Sequence, residues 1–264
     1  MSITSMNSTH SPIGHRFGNA SGLIWLGIAL GALFILTIVL GQFDPRLLNG
    51  VNVWDKPAKF ALSLGLHGYT LAWGLHLVSN ETLNSKLIKR GTFLFIVAVV
   101  MEMSWMVFQA SRAQASHFNS ATPLAAAMYS VMGIGAVSLT MVTMLFGWKI
   151  SRAGDTPMHM ATGYGFILSG LLTTVVAGYM SSSTGHSVGG DLTDATGLAL
   201  FHWSTTGGDL RVPHFAALHI AQALPLLGWL IPDKRAVLLS CFGAIMVVAA
   251  LFAQAVMGIP FLMG

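Results

Sequence analysis

The stretch SGLIWLGIALGALFILTIVLGQ at residues 21–42 contains no charged side chain. A helix needs about 20 consecutive apolar residues to cross the roughly 30 Å hydrocarbon core of a bilayer, so this stretch predicts a transmembrane helix. It is longer than the apolar core of a signal peptide, and the residues after it, Phe43-Asp44-Pro45, show no small-residue cleavage pattern. We therefore expect it to remain as the first membrane-spanning helix of the protein.

Six further apolar runs of comparable length follow this helix along the chain. Proline stands near the start of several of them, where its missing N–H costs no helical hydrogen bond. There is no strong alternation of apolar and polar residues, which argues against the strands of a transmembrane β-barrel. The sequence therefore predicts an all-α polytopic membrane helix bundle of about seven transmembrane helices, with a polar tail at 1–20 and a single transmembrane domain at 21–264. The six runs cover residues 57–79, 91–111, 122–148, 157–180, 213–231 and 236–262.

The composition supports the membrane class and excludes several others. Of the 264 residues, 54% are hydrophobic and only 8% are charged, whereas a soluble domain carries about 25% charged residues. The lipid bilayer is therefore the expected environment. The net charge of +4 is ordinary for a membrane protein and gives no indication of nucleic-acid binding. A single cysteine, Cys241, excludes a disulfide framework and a covalent Cys-x-x-Cys-His haem attachment.

The distribution of basic residues among the connections predicts the orientation in the membrane. Short loops with a high density of Lys and Arg face the cytoplasm in most membrane proteins. The connections 80–90, 149–156 and 232–235 have this character. We therefore predict that these loops are cytoplasmic, that both chain termini lie outside, and that the protein belongs to a bacterial inner membrane.

Two of the predicted helices carry ionisable side chains at depth. In the second, Lys56, Lys59, Ser63 and His67 follow at spacings of 3, 4 and 4 residues, which places them on one side of a helix. In the third, Glu102 lies at the same depth as His67, about 14 Å below the outer surface at ~1.5 Å per residue. An ionisable group at such a depth costs at least ~2.5 kcal/mol, so its presence indicates a functional site.

The segment GDLRVPHFAALH at residues 208–219 brings two charges and two histidines to the sixth predicted helix. His214 and His219 are five residues apart, about 140° around a regular helix, so we expect them to have different roles. The long polar connection at 181–212 is expected to cover the site as a lid. The predicted mid-membrane cluster is His67, Glu102 and His219, and the predicted outer rim is Asp209, Arg211 and His214.

Two sequence patterns resemble those of known membrane proteins. The pattern SHFN at 116–119 and the pattern GDLRxxHFxxLH at 208–219 are similar to those of bacterial multi-helix integral membrane proteins whose activity is uncharacterised. This resemblance covers a minor part of the chain and implies a multi-helix fold without implying an activity. The placement of the histidines is also similar to that in di-histidine b-type cytochromes of membranes, which implies a haem b held between two histidines.

The preferred functional hypothesis is haem b binding for electron transfer or redox chemistry. His67 and His219 would ligate the haem iron from two different helices, because neutral imidazole suits haem iron. The side chains of Lys59, Arg112 and Arg211 would pair with the haem propionates as cofactor-binding residues. A quinone or another redox partner would then exchange electrons with the haem.

Two alternatives use an overlapping set of residues differently. In the first, the protein is a transporter or sensor for a small anion or organic acid, with Glu102 as the proton carrier. In the second, it is a metal-dependent membrane enzyme with Glu102 as the catalytic base. The clamp for the anion would be Lys56, Lys59, Arg112 and Arg211. The metal ligands near the outer face would be His117, Asp209 and His214.

Overall fold

The computed structural model describes residues 20–183 and 185–263, and in this part of the chain the fold is helical apart from two pairs of two-residue strands. The predicted polar tail therefore lies outside the described residues, except for residue 20. A short 3-10 helix at Leu75–Leu77 extends the second α-helix. The α-helices are α1 (Ser21–Phe43), α2 (Asp55–Gly74), α3 (Asn80–Leu83), α4 (Lys86–Ser111), α5 (Pro123–Ser151), α6 (Pro157–Ser182), α7 (Arg211–Leu230) and α8 (Lys234–Val256). The antiparallel strand pairs are β1 (Leu47–Leu48) with β2 (Val51–Asn52), and β3 (Ser187–Val188) with β4 (Gly208–Asp209).

Among the described residues, five helices are long and apolar enough to cross a membrane, namely α1, α4, α5, α6 and α8. The predicted all-α membrane class is therefore confirmed. The helices α2 and α7 occupy the predicted runs 57–79 and 213–231 but are less apolar. One reason is that α2 begins with Asp55-Lys56 and carries Lys59 one turn later. The described chain thus contains seven long helices, of which five meet the requirement for a membrane span.

Capping side chains and prolines determine where several of the long helices begin. Thr122, Thr156 and Asp233 each accept a hydrogen bond from the backbone N–H three residues further on, which satisfies one of the free donors of a helix start. Pro123 and Pro157 occupy the first positions of α5 and α6, where no N–H is needed. These are the starts that the apolar runs predicted to within a few residues.

Small residues allow neighbouring helices to approach closely. At the contact between α5 and α6, a Cβ on Gly147 would lie 2.6 Å from the carbonyl oxygen of Gly163, and a Cβ on Gly163 would lie 2.6 Å from Ser151 Cβ. Such close backbone contact provides much of the attraction between helices in lipid, where burial of apolar surface drives little association. Large apolar side chains point outward, as Trp25 on α1 and Phe242 on α8 do, which suits contact with lipid.

The helix α2 occupies a central position in the bundle. It packs along α1 and also contacts α4, α5 and α7. Its first turn lies at the end of the bundle where three polar connections meet. The N–H of Asp194 donates to the Asn49 carbonyl at 2.9 Å, and Arg46 Nη1 donates to the Ser111 carbonyl at 2.9 Å. These bonds join the connections to one another above the start of α2.

Candidate functional site

Lys56 at the start of α2, Glu102 on α4 and His117 in the connection after α4 form a polar cluster, here called the Lys–His–Glu cluster. His117 Nδ1 lies 3.1 Å from Lys56 Nζ and 3.0 Å from Ser116 Oγ. Because an ammonium group can only donate, Nδ1 is the accepting nitrogen of the ring. The ring proton then resides on Nε2, which lies 3.9 Å from Glu102 Oε2.

The histidine of this cluster is neutral at physiological pH. Burial, followed by the nearby Lys56 ammonium, lowers the pKa of His117 from 6.5 to about 3. Its contact with Glu102 is therefore one between an imidazole and a carboxyl group, without an ion pair. A neutral imidazole held between a donor and an acceptor can pass a proton from one to the other.

Side chains of α4 hold the connection that carries this histidine. Trp105 Nε1 donates to the Ser116 carbonyl at 3.1 Å, and Gln109 Nε2 donates to the Ala115 carbonyl at 3.0 Å. Within the connection, Asn119 Nδ2 donates to the same Ala115 carbonyl at 2.9 Å. The polar stripe of α4 thus rises to the surface and positions the loop, and the SHFN pattern supplies both the site histidine and one of its anchors.

Two polar atoms at the cluster have no hydrogen-bond partner among the described residues. They are Glu102 Oε1 and the Tyr129 hydroxyl, and both are buried. The Tyr129 ring meets the His117 ring edge-on at 6.3 Å between centroids, and a Cβ on Gly135 would lie only 3.0 Å from Glu102 Oε1. A buried polar group without a partner costs about 1–3 kcal/mol. Such atoms indicate a place where a proton or a ligand binds.

The two lysines on α2 make no direct ion pair among the described residues. In the part of the chain that the structure describes, neither Lys56 nor Lys59 forms an ion pair, and Lys59 also makes no hydrogen bond. Glu102 acts electrostatically on Lys56, Asp55 acts on Lys59, and both lysines also interact with Arg211 and Asp194. Two partly buried ammonium groups without a direct ion pair in the described chain, beside a third cation, can donate hydrogen bonds to an anion.

The carboxylates of the rim are already engaged. Arg211 donates from Nη2 to Asp209 at 2.7 Å and to the His202 carbonyl at 2.6 Å, and the same nitrogen lies 2.8 Å from Asp194. His202 Nε2 lies 3.0 Å from Asp55 at the start of α2. We call the segment 185–210 with its contacts to Asp55 and Arg211 the roof. The connection that was expected to cover the site therefore contacts the start of α2. The carboxylates of Asp194, Asp209 and Asp55 are engaged in these contacts.

Asp194 is the roof carboxylate that links two basic side chains. Burial acts to raise the pKa of Asp194, but the nearby His186 imidazole and the charge of Arg211 bring that pKa below its usual value of 3.8. His186 Nε2 lies 3.4 Å from Asp194 Oδ1. The carboxylate therefore stays charged at neutral pH and balances Arg211.

The deeper histidines lie on facing helices. His67 Nε2 lies 2.9 Å from Thr143 Oγ1, and its ring stacks on Phe95 with 5.8 Å between centroids. His219 packs against Phe215 with 4.2 Å between centroids and interacts electrostatically with His67. The two predicted haem ligands thus interact electrostatically, while each is in direct contact with other side chains. A haem between them would require the His67 ring to leave Thr143, since Nε2 is the nitrogen that this hydroxyl occupies.

The predicted cluster of His67, Glu102 and His219 is divided into two groups by these contacts. Glu102 contacts His117 in the Lys–His–Glu cluster, whereas His67 contacts Thr143 and Phe95, and His219 contacts Phe215. The reason is that equal depth on two helices does not determine which side of each helix faces the other. Arg112, predicted at the rim, is exposed and lies 5.2 Å over the Phe108 ring.

The predicted metal ligands do not come together. Within the described chain, no group of three or more His, Cys, Asp or Glu side chains is arranged to hold a metal ion. Asp209 instead accepts hydrogen bonds from Arg211 and from the Ser204 N–H at 2.9 Å, and His117 belongs to the Lys–His–Glu cluster. The proposed set of His117, Asp209 and His214 is therefore corrected.

Tyr129 is the site residue that the sequence did not indicate. A tyrosine within an apolar helix is more often an interfacial packing residue, and its hydroxyl becomes informative only once its surroundings are known.

No protein-family model, curated protein or solved structure matches this chain. The function therefore has to be argued from the site itself.

Proposed function

We propose that this integral membrane protein binds a small organic anion at the start of α2 and couples its binding to a proton on Glu102, as a transporter or sensor. The observation that carries the proposal is a pair of lysines, Lys56 and Lys59, that make no direct ion pair among the described residues. They lie on one side of α2 under the roof, and Lys56 also belongs to the Lys–His–Glu cluster. An anion at this point would accept charge-assisted hydrogen bonds from both ammonium groups.

The direct ion-pair contacts of the rim leave both lysines able to bind an anionic ligand. Arg211 contacts Asp209 and Asp194, and Asp55 contacts the His202 imidazole. Among the described residues, neither Lys56 nor Lys59 takes part in such a direct contact with a carboxylate. A buried charge is stable only when it is paired or strongly hydrogen-bonded, so a carboxylate of the ligand would offset the cost of burying the two ammonium groups.

The Lys–His–Glu cluster provides the proton. Glu102 is buried on α4 with one oxygen without a partner, and a carboxyl group in a membrane is stable when it is either paired or protonated. His117 lies between Glu102 and Lys56 and can relay a proton in either direction. Taking up an anion together with a proton keeps the net charge of the site unchanged, which lowers the electrostatic cost of crossing the membrane.

The lysine pair gives the first test. In the purified protein, Lys59→Gln is expected to weaken binding of acetate, lactate or benzoate by about tenfold or more, because a charge-assisted hydrogen bond contributes roughly 1.5–3 kcal/mol. Binding is measured by calorimetry at pH 6 and pH 8. Lys89→Gln is the matched control, because Lys89 is an exposed lysine in the first turn of α4. Equal affinities in the two variants would remove the anion site.

Haem b remains the second candidate, and the observation in its favour is the electrostatic interaction of His67 with His219. The expected result is a red purified protein from haem-supplied cells, with a Soret band that shifts on reduction with dithionite. His67→Ala would abolish this spectrum, whereas His76→Ala at the other end of α2 would leave it unchanged. A colourless protein that binds carboxylates would leave the anion site as the sole proposal.

A further inference from the structure

The two carboxyl oxygens of Glu102 face different neighbours. Oε2 lies 3.9 Å from His117 Nε2. Oε1 lies on the side of α5, where a Cβ on Gly135 would be only 3.0 Å away. Glu102 is 4% exposed, and Gly135 is buried as well. The carboxyl group therefore occupies a buried space that exists because position 135 has no side chain.

The distance from Glu102 to His117 is too long for a hydrogen bond. A nitrogen and an oxygen that share a hydrogen lie about 2.7–3.2 Å apart, so the carboxyl group would have to move by about 1 Å toward the imidazole. In the observed position, Oε1 has no hydrogen-bond partner among the described residues. Burial without a partner disfavours a charged carboxylate far more than a neutral carboxyl group. The position against α5 thus suits the protonated form.

The groups that favour the charged form of Glu102 lie on its other side. The ionisable side chains near Glu102 are Lys56 from α2, His117 from the connection after α4, and Tyr129 from α5, whose ring contacts the His117 ring. The helix α1 also packs against α4 and carries no ionisable side chain. The Nε2–H of His117 can donate a charge-assisted hydrogen bond to a carboxylate. A charged Glu102 is therefore expected to move toward His117.

We propose that Gly135 is a positioning residue for proton binding by Glu102, because it leaves room for the carboxyl group to withdraw from His117 when it is protonated. Glu102 then has two positions, one against Gly135 as a neutral carboxyl group and one against the imidazole as a carboxylate. This inference rests on the proposed function, in which Glu102 binds the proton. The absence of a side chain at position 135 sets how tightly that proton is held.

Gly135→Ala is the variant that closes the withdrawn position. The added methyl group would lie 3.0 Å from Oε1, so the carboxyl group has to shift away from α5 and the charged form is favoured. We expect the affinity of Glu102 for a proton to fall about tenfold, in line with one hydrogen bond to a charged group. The measurement is infrared difference spectroscopy across a pH titration of the full-length protein in lipid nanodiscs. The band of the protonated carboxyl group is assigned by its loss in Glu102→Gln.

Two comparisons separate the carboxyl contact from other effects of the added methyl group. Gly133→Ala is the matched control on the same helix, because a Cβ at this exposed glycine would meet no described atom within 4 Å. The methyl group at position 135 would also lie 2.8 Å from Met101 Cε, at the flexible end of that side chain. In a Glu102→Asp background the carboxyl group is one methylene further from position 135, so Gly135→Ala should no longer change the proton affinity. An equal fall in both backgrounds, an unchanged affinity in Gly135→Ala, or a wild type without the carboxyl band would each overturn the inference.

A second measurement on the same samples distinguishes this inference from the proposed function. The affinity for acetate at pH 6 and pH 8 reports on the anion site, whereas the carboxyl band reports on the proton alone. A carboxyl band that responds to Gly135→Ala in a protein that does not bind acetate would remove the anion site and support the role of Gly135. Acetate binding together with a carboxyl band that is unchanged in Gly135→Ala would support the anion site and overturn the role of Gly135.

Discussion

Replacing Arg211 by alanine is expected to lower the free energy of unfolding by about 3–5 kcal/mol, because it leaves buried carboxylates without a counter-charge. Asp209 is 1% exposed, and both of its oxygens contact the Arg211 guanidinium. The same guanidinium contacts Asp194 and the His202 carbonyl. The roof should therefore detach from the start of α2. The measurement is unfolding in mixed micelles with increasing SDS, followed by tryptophan fluorescence.

The chain contains a matched control for this prediction. Arg46 contacts Asp44 through the same atoms, with Nε at 2.9 Å and Nη2 at 2.7 Å, and the same two-residue spacing separates the partners. The difference is burial, since the Arg46 side chain is 47% exposed. Arg46→Ala should therefore cost much less stability than Arg211→Ala, because exposed ion pairs contribute little. Equal losses would contradict the assignment of the effect to buried charge.

A lysine at position 211 should give an intermediate result. An ammonium group retains the positive charge but cannot form the planar, two-pronged contact that a guanidinium makes with a carboxylate. We expect Arg211→Lys to fold and to retain part of the stability that Arg211→Ala loses. The affinity for carboxylates should change little, because the anion site uses the lysines that lie outside the roof ion pairs.

The free energy of unfolding should also decrease as the pH falls, because of His117. The pKa of this histidine is lowered from 6.5 to about 3 by burial and by Lys56. Below pH 6.5 the unfolded chain binds a proton at this residue that the folded protein does not bind until about pH 3. Stability falls with falling pH wherever the unfolded state binds more protons. The contribution is about 1.4 kcal/mol for each pH unit within this window.

The measurement is the free energy of unfolding between pH 7 and pH 5 for the wild type and for His117→Asn. The carboxylate Asp194, whose pKa is lowered below 3.8, contributes stability that is lost only at lower pH, and the difference between the two slopes gives the contribution of His117. We expect the asparagine variant to show a smaller slope. His76→Asn, at an exposed position in the 3-10 helix after α2, is the control and should keep the wild-type slope. Identical slopes in both variants would contradict the burial of a neutral His117.

Much of the fold could be predicted because the lipid bilayer imposes a simple requirement. A segment inside the membrane has to satisfy its own backbone hydrogen bonds and present apolar side chains, so length and hydropathy identify the helices. The starts of α5 and α6 were predicted to within a few residues by Pro123 and Pro157. The run at 57–79 predicts a membrane span. The helix α2 that forms there, which includes Lys56 and Lys59, is not apolar enough to count as a membrane-spanning helix.

The residues of the site could be selected from the sequence, but their partners could not. Lys56, Lys59, Glu102, Arg211 and the deep histidines stand out because ionisable groups are rare in apolar helices. Helical spacing predicted a similar depth for His67 and Glu102, and from that depth one shared cluster. It did not give the rotation of each helix about its axis, and that rotation determines whether a carboxylate faces a histidine on one neighbour or on another.

The sequence by itself determined a membrane-embedded helical protein with cationic and titratable side chains near the start of α2. Only the tertiary structure decided which charged side chains contact each other. Asp209 and Arg211 are two residues apart and could have been paired from the chain alone, whereas Lys56 and His117 are separated by 61 residues. Pairing over that separation depends on how α2, α4 and the roof pack together. That packing leaves the two lysines without a direct ion pair among the described residues, because it brings Asp209 and Asp194 to Arg211 and Asp55 to His202 instead.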